Sequence, residues 1–324
     1  METINILCAT DNNYAPYCGI MLTSLFESNK DCHFVVYVFE DGSVTDENIQ
    51  KYRCLAKKYG NEIVLKTIDE SMVKGFPINE NAHITVPTYY RLFAADLLPK
   101  DVHKVIYLDC DVIVVGDIRP LWNVNLKDLA FAGIMDCTPL LDQSCNRLGY
   151  ASSYSYINAG VLVYNLDCWR ENGLVEKISG YIYENDANLI YMDQDALNGV
   201  LFDKKKMLPE QYNFSTEFFE RNHWESYLKE RQHHYMDECI NAVIIHYQGR
   251  IKPWNIRNYR GPFFYKWDKY RKKSLWRSCV RIVPWHKHFA DRVKRCIYSI
   301  FYRYRNAQWI VLRKNRFCYK ECII

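Results

Sequence analysis

The stretch KVIYLDCDVIVVGDI (104–118) carries two carboxylates inside an otherwise apolar run. Asp109 and Asp111 are two positions apart, and alternate residues of an extended backbone point to the same side. Two ionised carboxylates side by side repel each other unless a cation neutralises them, and hard oxygen ligands suit Mg²⁺ or Mn²⁺. The stretch therefore predicts one strand that presents a divalent metal site. The alternative is a strand whose acids simply face solvent.

Upstream of this stretch, short apolar runs alternate with helical patterns. Residues 45–60 show the clearest helical spacing, with Thr45 placed to cap the helix and Gly60 placed to end it. The β-rich runs are 4–9, 33–40 and 62–68. This βαβαβ alternation predicts a mostly parallel sheet with helices on both faces.

The composition is that of a chain that folds around a sizeable core. Of its 324 residues, 49% are hydrophobic and 25% are charged, which excludes disordered, collagen-like and disulfide-stapled miniprotein classes. Thirteen cysteines occur without regular spacing, the N-terminus has no leader pattern, and no uncharged apolar run reaches 18 residues. These features favour a cytosolic protein with reduced thiols and no membrane-spanning helix.

Charge is distributed unevenly along the chain. Residues 1–249 hold 21 Lys and Arg against 35 Asp and Glu, whereas residues 250–324 hold 21 against 3. Apolar residues recur every three to four positions between Val293 and Val311, with arginines and lysines on the other faces, which predicts a basic amphipathic helix. We therefore expect a catalytic domain over residues 1–255 and a basic, aromatic-rich region over 256–324. That region either docks on an anionic membrane or packs its apolar stripe on the catalytic domain.

The first connection after a predicted strand, residues 9–14, lies where open α/β sheets bind ligands. It contains neither Gly-x-Gly-x-x-Gly nor Gly-x-x-x-x-Gly-Lys-Ser/Thr, which excludes the dinucleotide fingerprint and the P-loop. Asp11 and Asn13 are suited to accept hydrogen bonds from a uracil or a ribose, and Tyr14 to stack on a base. An ordinary turn rich in Asn remains the alternative.

A third cluster, His246-Tyr247-Gln248-Gly249-Arg250-Ile251-Lys252-Pro253-Trp254, follows the apolar run at 242–245. His246 offers a nitrogen ligand to a metal, Lys252 offers a positive charge to a phosphate, and Gly249 permits close approach of the backbone. A lone histidine after a strand is more often structural, but the combination within seven residues favours a site.

Six motifs follow one another in order between residues 4 and 254. They are Ala9-Thr10-Asp11-x-Asn13-Tyr14, Pro87-Thr88-Tyr89-Tyr90-Arg91, Tyr107-Leu108-Asp109-x-Asp111, Tyr156-Ile157-Asn158-Ala159-Gly160-Val161, Asp193-Gln194-Asp195-x-Leu197-Asn198 and the segment from His246 to Trp254. In this order they resemble glycosyltransferase family 8, the retaining nucleotide-sugar transferases that include bacterial lipooligosaccharide galactosyltransferases and glycogenin.

The resemblance implies a fold and a set of site residues. The fold is α/β of the GT-A type, a Rossmann-like mixed sheet that binds a nucleotide sugar, with helices on both faces and here a basic helical C-terminal extension. Mn²⁺, or alternatively Mg²⁺, would be bound by Asp109, Asp111 and His246, and the catalytic residues would be Gln194, Asp193 and Arg91. The donor would be bound by Ala9, Thr10, Asp11, Asn13, Tyr14, Arg91, Asp109, Cys110, Asn158, Ala159, Asp193, Gln194, His246, Gly249 and Lys252. Asp136 and His83 would lie where donor meets acceptor.

The implied activity is a retaining, Mn²⁺-dependent transfer of galactose or glucose from a UDP-sugar to a glycan or lipid-linked oligosaccharide. The setting would be synthesis of lipopolysaccharide, capsule or another surface glycan, at the cytoplasmic face of the membrane. Extension of a glycoprotein glycan and a non-catalytic nucleotide-sugar-binding module are the alternatives. The basic end also suggests nucleic-acid binding, but the acidic first 249 residues argue against it. A metal phosphohydrolase would leave the donor motifs unexplained.

Overall fold

The computed structural model describes residues 3–78, 86–137, 141–219, 241–249, 252–254 and 263–279. The strands are β1 (Thr3–Thr10), β2 (His33–Glu40), β3 (Glu62–Thr67), β4 (Lys104–Leu108), β5 (Val112–Val114), β6 (Phe131–Met135), β7 (Ile157–Asn165), β8 (Lys205–Leu208), β9 (Phe214–Ser215) and β10 (Ile244–His246). The α-helices are α1 (Ala15–Ser28), α2 (Asp46–Tyr59), α3 (Ala94–Leu97), α4 (Arg119–Trp122), α5 (Leu141–Arg147), α6 (Leu166–Glu171), α7 (Leu174–Glu184), α8 (Met192–Val200) and α9 (Phe264–Lys273). Short 3-10 helices span Glu70–Val73, Val86–Phe93, Ser152–Tyr154, Asp186–Asn188, Glu210–Asn213 and Thr216–Phe219.

The larger sheet has seven strands in the order β3-β2-β1-β4-β7-β6-β8. Strands β3, β2, β1 and β4 run parallel to one another, as the βαβαβ pattern predicts. Strand β7 is antiparallel to both β4 and β6, which makes the sheet mixed. The predicted helix at 45–60 is α2, and Gly60 ends it in the left-handed conformation at φ +68°.

The prediction of a single strand over 104–118 is wrong. Strand β4 ends at Leu108, which pairs with Val161 in the large sheet, whereas Val112 of β5 pairs with His246 in a smaller sheet of order β5-β10-β9. The chain therefore leaves one sheet and enters another across Asp109–Asp111. This break places the two carboxylates beside His246.

Helices cover both faces of the large sheet, as expected. On one face, Ile4, Ile6 and Cys8 of β1 are fully buried against α1, α2, α9 and the smaller sheet. On the other face, Leu7 of β1 and Tyr107 of β4 are buried against α3, α6, α7 and α8. Each fully buried aliphatic or aromatic side chain contributes about 1.5–3 kcal/mol, so both layers stabilise the strand ends that carry the polar residues.

The described part of the C-terminal region, residues 263–279, packs against the first of these layers. Trp267, Tyr270 and Trp276 are buried there. The Tyr270 hydroxyl lies 2.9 Å from Ser28 Oγ, and Trp276 Nε1 donates to Asn48 Oδ1 at 2.7 Å. The division of the chain at residue 255 stays a prediction, and the helix predicted between Val293 and Val311 lies outside the described residues. Within the described part of the chain, no helix has both the length and the apolarity needed to cross a membrane.

We expect Trp276→Ala to lower the free energy of unfolding by about 3–5 kcal/mol, because it removes a large buried side chain. Trp276 is 2% exposed, lies 5.1 Å from the Tyr52 ring and fills the space over Gly19, where an added Cβ would meet it at 2.1 Å. Urea denaturation measures the change. Leu275→Ala is the matched control, since Leu275 is 41% exposed and its loss should cost about 0.5 kcal/mol or less. Equal losses in the two variants would contradict the packing described.

Candidate functional site

Three potential metal ligands from distant parts of the chain converge at the end of β4. Asp109, Asp111 and His246 each offer one ligand atom, and these atoms all lie within 4.8 Å of one another. Backbone hydrogen bonds hold the segment in place: Asp109 N–H donates to Gly160 O at 2.9 Å, and Tyr247 N–H donates to Asp111 O at 2.9 Å. The two sheets thus fix the carboxylates from opposite sides.

A glycine allows the histidine to approach. A Cβ added to Gly160 would lie 2.4 Å from His246 Cε1, a separation that no real contact tolerates. Gly160 sits where β7 loses register with β6, between the pairs Ile134–Asn158 and Gly133–Leu162. The missing side chain and the irregular strand together leave room for the imidazole.

A row of side-chain amides orients that imidazole. Gly160 N–H can only donate, so the Asn158 atom 2.9 Å away is its oxygen, Oδ1. The Asn213 atom 2.8 Å from this oxygen is therefore its nitrogen, Nδ2, and the Asn213 oxygen faces His246 Nδ1 at 2.9 Å. Nδ1 must then carry the proton. Nε2 faces Asp111 Oδ1, 3.2 Å away, so a cation bound between these two atoms would take the place of a proton shared by them.

The donor set fits the metal that the sequence implies. Two carboxylates supply hard oxygen ligands of the kind that Mg²⁺ and Mn²⁺ prefer, and the imidazole adds the nitrogen that later first-row metals prefer. The orientation of Nε2 is that of a ligand, because its other ring nitrogen is already hydrogen-bonded. Asp109, Asp111 and His246 are therefore suited to hold Mn²⁺.

Lys252 already neutralises one of the carboxylates. Its Nζ lies 2.5 Å from Asp111 Oδ2 and donates to Tyr247 O at 2.8 Å. Burial raises the pKa of Asp111, but the charges of Lys252 and His246 more than offset this and hold that pKa well below its ordinary value. A divalent cation that binds Asp111 must therefore compete with the ammonium group of Lys252.

Arg91 does the same for Asp109. It lies in the 3-10 helix Val86–Phe93 and is only 5% exposed. Its guanidinium lies between two carboxylates, with Nη2 3.0 Å from Asp109 Oδ1 and Nε 3.0 Å from Asp193 Oδ2, and it donates to Ala159 O at 2.5 Å. Burial lowers the pKa of Arg91, but the two carboxylates raise it above its usual value, so this group is a fixed cation. Burial raises the pKa of Asp193 to about 6, with Arg91 opposing the change.

Next to these charges, Gln194 lies among polar groups at the irregular part of β7. Its Oε1 accepts from Ala159 N–H at 2.9 Å, and its Nε2 donates to Asp136 Oδ2 at 3.3 Å and to the Tyr156 hydroxyl at 3.1 Å. Asp136 Oδ2 also accepts from Asn158 Nδ2 at 3.0 Å. Asp136 thus links Gln194 to the row of amides, Asn158 and Asn213, that ends at His246.

The turn after β1 reaches the same place through Cys110. The Cys110 thiol is turned away from the neighbouring carboxylates and donates to Ala9 O at 3.1 Å. Asp11 Oδ1 accepts from Tyr14 N–H at 2.7 Å, and Thr10 Oγ1 donates to Asp11 O at 2.9 Å. The turn is therefore ordered by its own side chains. On the far side of the site, Gly249 adopts φ +83°, as its expected role in a close backbone approach allows.

Several residues of this site have no signal in the sequence. Asn213 ends the 3-10 helix Glu210–Asn213 directly before β9, and the pairing of β9 with β10 brings it to His246. Arg147 binds the Asp195 carboxylate. No sequence pattern predicts this contact, because the two residues are 48 positions apart. Of the residues expected at the donor–acceptor boundary, Asp136 is in the site, and His83 lies outside the described residues.

Comparison with known proteins finds matches in sequence and in fold. Residues 5–257 match the profile of glycosyl transferase family 8. The chain is 30% identical over 293 residues to a lipopolysaccharide 1,2-glucosyltransferase of Escherichia coli, covering 88% of this chain and 80% of that protein. It is 28% identical to General stress protein A of Bacillus subtilis, covering 86% of this chain and 96% of that protein. The galactosyltransferase LgtC, solved in complex with donor and acceptor sugar analogues, superimposes with a TM-score of 0.72 at 25% identity, covering 88% of this chain and 99% of LgtC. The likeness to LgtC confirms the expected GT-A type fold.

We expect Lys252→Met to bind Mn²⁺ more tightly than the unchanged protein when no nucleotide is present, because the cation no longer competes with an ammonium group for Asp111. The same variant should bind UDP more weakly, by about tenfold, since a charge-assisted contact is lost. Isothermal titration with Mn²⁺ alone and with UDP measures both. Lys206→Met is the control, because Lys206 is exposed and donates to Asn125 O at 3.1 Å. Weaker Mn²⁺ binding in Lys252→Met would show that Lys252 does not occupy the cation's place.

Proposed function

The chain belongs to glycosyl transferase family 8 and is a glycosyltransferase, and from that premise we propose that it moves galactose or glucose from a UDP-sugar to a glycan acceptor. We further propose that the transfer depends on Mn²⁺ and retains the anomeric configuration. The observation that carries the proposal is the convergence of Asp109, Asp111 and His246 with two fixed cations, Arg91 and Lys252. Such a group of charges suits a diphosphate that leaves a sugar.

The chemistry requires charge stabilisation at that diphosphate. Asp109, Asp111 and His246 would hold Mn²⁺, which would supply a Lewis acid for the departing phosphate oxygens. Lys252 lies on the same carboxylate and adds a positive charge in a partly buried place, where it acts more strongly than in water. Gly249, at φ +83°, would let the backbone approach the phosphates closely.

The remaining matched residues position the donor. Ala9 at the end of β1, with Asp11 and Asn13 in the turn that follows, would bind the uracil and the ribose. Asp193 is buried between Arg91 and Thr88, whose hydroxyl donates to Asp193 Oδ1 at 2.7 Å, and would accept a hydroxyl of the donor sugar. Positioning of this kind is worth up to about 7–11 kcal/mol of an activation barrier.

Retention needs either a covalent nucleophile or attack from the side of the leaving group. Gln194 is the matched residue for the anomeric carbon, and an amide is a poor nucleophile. We therefore propose front-face attack, in which the acceptor hydroxyl approaches on the side of the diphosphate. The bond from the anomeric carbon to the diphosphate breaks as the new glycosidic bond forms, and the acceptor proton passes to the departing phosphate oxygen, while Gln194 stabilises the positive charge that develops on the sugar.

The acceptor is proposed to belong to a surface glycan such as lipopolysaccharide or capsule. The support is that similar proteins are named lipopolysaccharide glucosyltransferase and lipopolysaccharide 1,3-galactosyltransferase. A lipid-linked acceptor lies at a membrane, and the 21 basic residues against 3 acidic ones in 250–324 suit an anionic lipid surface. We propose peripheral binding at the cytoplasmic leaflet.

We expect UDP release from UDP-galactose or UDP-glucose only in the presence of a divalent cation, with Mn²⁺ most effective. Asp109→Asn should lower turnover by about 10²- to 10³-fold, the size of an electrostatic contribution at a reacting group. Asp117→Asn is the control, since Asp117 pairs with Arg119 at the surface. The melting temperature of each variant shows whether the fold is retained, and the anomeric coupling constant of the product reports retention. Full turnover in EDTA would refute the metal assignment, and a β-linked product from the α-linked donor would refute retention.

We expect truncation after Cys279 to abolish binding to anionic vesicles without loss of UDP-sugar turnover in solution. The cut retains the buried Trp267 and Trp276 and removes residues 280–324, where each basic residue contributes about 1 kcal/mol near anionic lipid. Co-sedimentation at ~0.1 M and ~0.5 M salt measures binding, and screening should weaken it at the higher salt. Equal binding by the truncated and full-length chains would show that the removed residues do not dock on lipid.

A further inference from the structure

Gln194 is held by hydrogen bonds at both ends of its amide. At one end, Oε1 accepts from Ala159 N–H at 2.9 Å. Ala159 lies where β7 bulges away from β6, between the pairs that involve Asn158 and Leu162. In a regular sheet this N–H would donate to the neighbouring strand, and here it donates to Gln194 Oε1 instead. Because a backbone N–H can only donate, the amide oxygen is fixed on this side.

At the other end, the Tyr156 hydroxyl is restricted to accepting. It donates its proton to Asp195 Oδ1 at 2.6 Å, so its lone pairs face Gln194 Nε2, 3.1 Å away. The second Nε2 hydrogen is directed to Asp136 Oδ2 at 3.3 Å. Both amide hydrogens are thereby engaged, and the hydrogen-bonding capacity that remains on Gln194 is the second lone pair of Oε1.

Asp195 itself is immobilised as an anion. It is fully buried, and Arg147 binds it in a bidentate manner at 3.0 and 2.9 Å. The backbone N–H groups of Ile190 and Tyr191 donate to its Oδ2 at 2.7 and 2.8 Å. An ionised acceptor with four donors already placed fixes the direction of the Tyr156 O–H bond.

We propose that Arg147, Asp195 and Tyr156 are positioning residues that hold Gln194 in one amide orientation, with its oxygen as the free atom. This inference rests on the proposed function, because the orientation of the Gln194 amide matters only if a sugar carbon becomes positively charged beside it. An amide that presents an oxygen lone pair stabilises positive charge at a sugar carbon, whereas an amide that presents N–H groups would repel it. The row of hydrogen bonds from Arg147 through Asp195 and Tyr156 thus determines that Gln194 presents its amide oxygen and not its amide nitrogen.

Tyr156→Phe tests the row by removing only the hydroxyl. We expect turnover of the UDP-sugar to fall about tenfold, as for loss of one buried hydrogen bond, with KM and Mn²⁺ affinity changed by less than about twofold. Tyr164→Phe is the matched control: Tyr164 is fully buried in β7, and among the described residues its hydroxyl has no hydrogen-bond partner. Equal turnover in Tyr156→Phe and the unchanged protein would overturn the proposal.

A double-mutant cycle distinguishes positioning from a general structural effect. If Tyr156 acts through Gln194, Tyr156→Phe should have no further effect on turnover in a Gln194→Ala background. A loss that adds fully to that of Gln194→Ala would overturn the proposal, because Tyr156 would then act by another route.

A third measurement does not depend on turnover at all. Loosening of the Gln194 amide should speed hydrogen exchange at Ala159 N–H, which NMR follows in the protein without substrate. We expect faster exchange in Tyr156→Phe and unchanged exchange in Tyr164→Phe. Unchanged exchange in both variants would overturn the proposal. Absence of turnover with every UDP-sugar in the unchanged protein would instead refute the proposed function while the exchange experiment still tests the row.

Discussion

Two carboxylates held side by side in a partly buried place are the constraint on which the rest of the site depends. Bringing Asp109 and Asp111 together costs several kcal/mol unless each is neutralised. Arg91 reaches Asp109 from a 3-10 helix on one side, and Lys252 reaches Asp111 from the segment after β10 on the other. The chain breaks between β4 and β5, and Val112 pairs with His246. This geometry lets Arg91 and Lys252 each reach one of the two carboxylates. The fold is organised so that opposite charges from three distant segments meet at one strand end.

Hydrogen-bonded side-chain amides around these charges fix the orientation of His246 and of Gln194. Asp136 accepts from Asn158 on the way to His246, and from Gln194 on the way to Asp195. Both rows begin at backbone N–H groups of the irregular part of β7, which can only donate, so no amide in either row has a second orientation of equal energy. Buried networks in which every member is satisfied stay rigid, and sites built on rigid strands keep their geometry within the tolerance that chemistry requires.

The sequence predicts those features that depend on local pattern. The βαβαβ order, the helix at 45–60 and the proximity of Asp109 to Asp111 all follow from spacing over fewer than twenty residues. The sequence does not predict the break after Leu108, because an apolar run does not reveal which partner each half will pair with. The amide Asn213 is missed for the same reason, since its partner His246 is 33 residues away and reaches it only through β9 and β10. Charge composition indicated a partner for the C-terminal region but did not show that its first part packs into a core.

That first part also bears on the nucleotide side of the proposed site. Trp276 Nε1 donates to Asn48 Oδ1, and Asn48 Nδ2 donates in turn to Asn12 Oδ1 at 2.9 Å. Asn12 belongs to the turn after β1 and also accepts from Thr45 N–H, at 3.1 Å, so the turn is tied to the start of α2. The Asn12 side chain is therefore engaged within the fold, whereas Asp11, Asn13 and Tyr14 are the residues of the turn that are proposed to bind the nucleotide. Residues 263–279 thus brace this turn through α2.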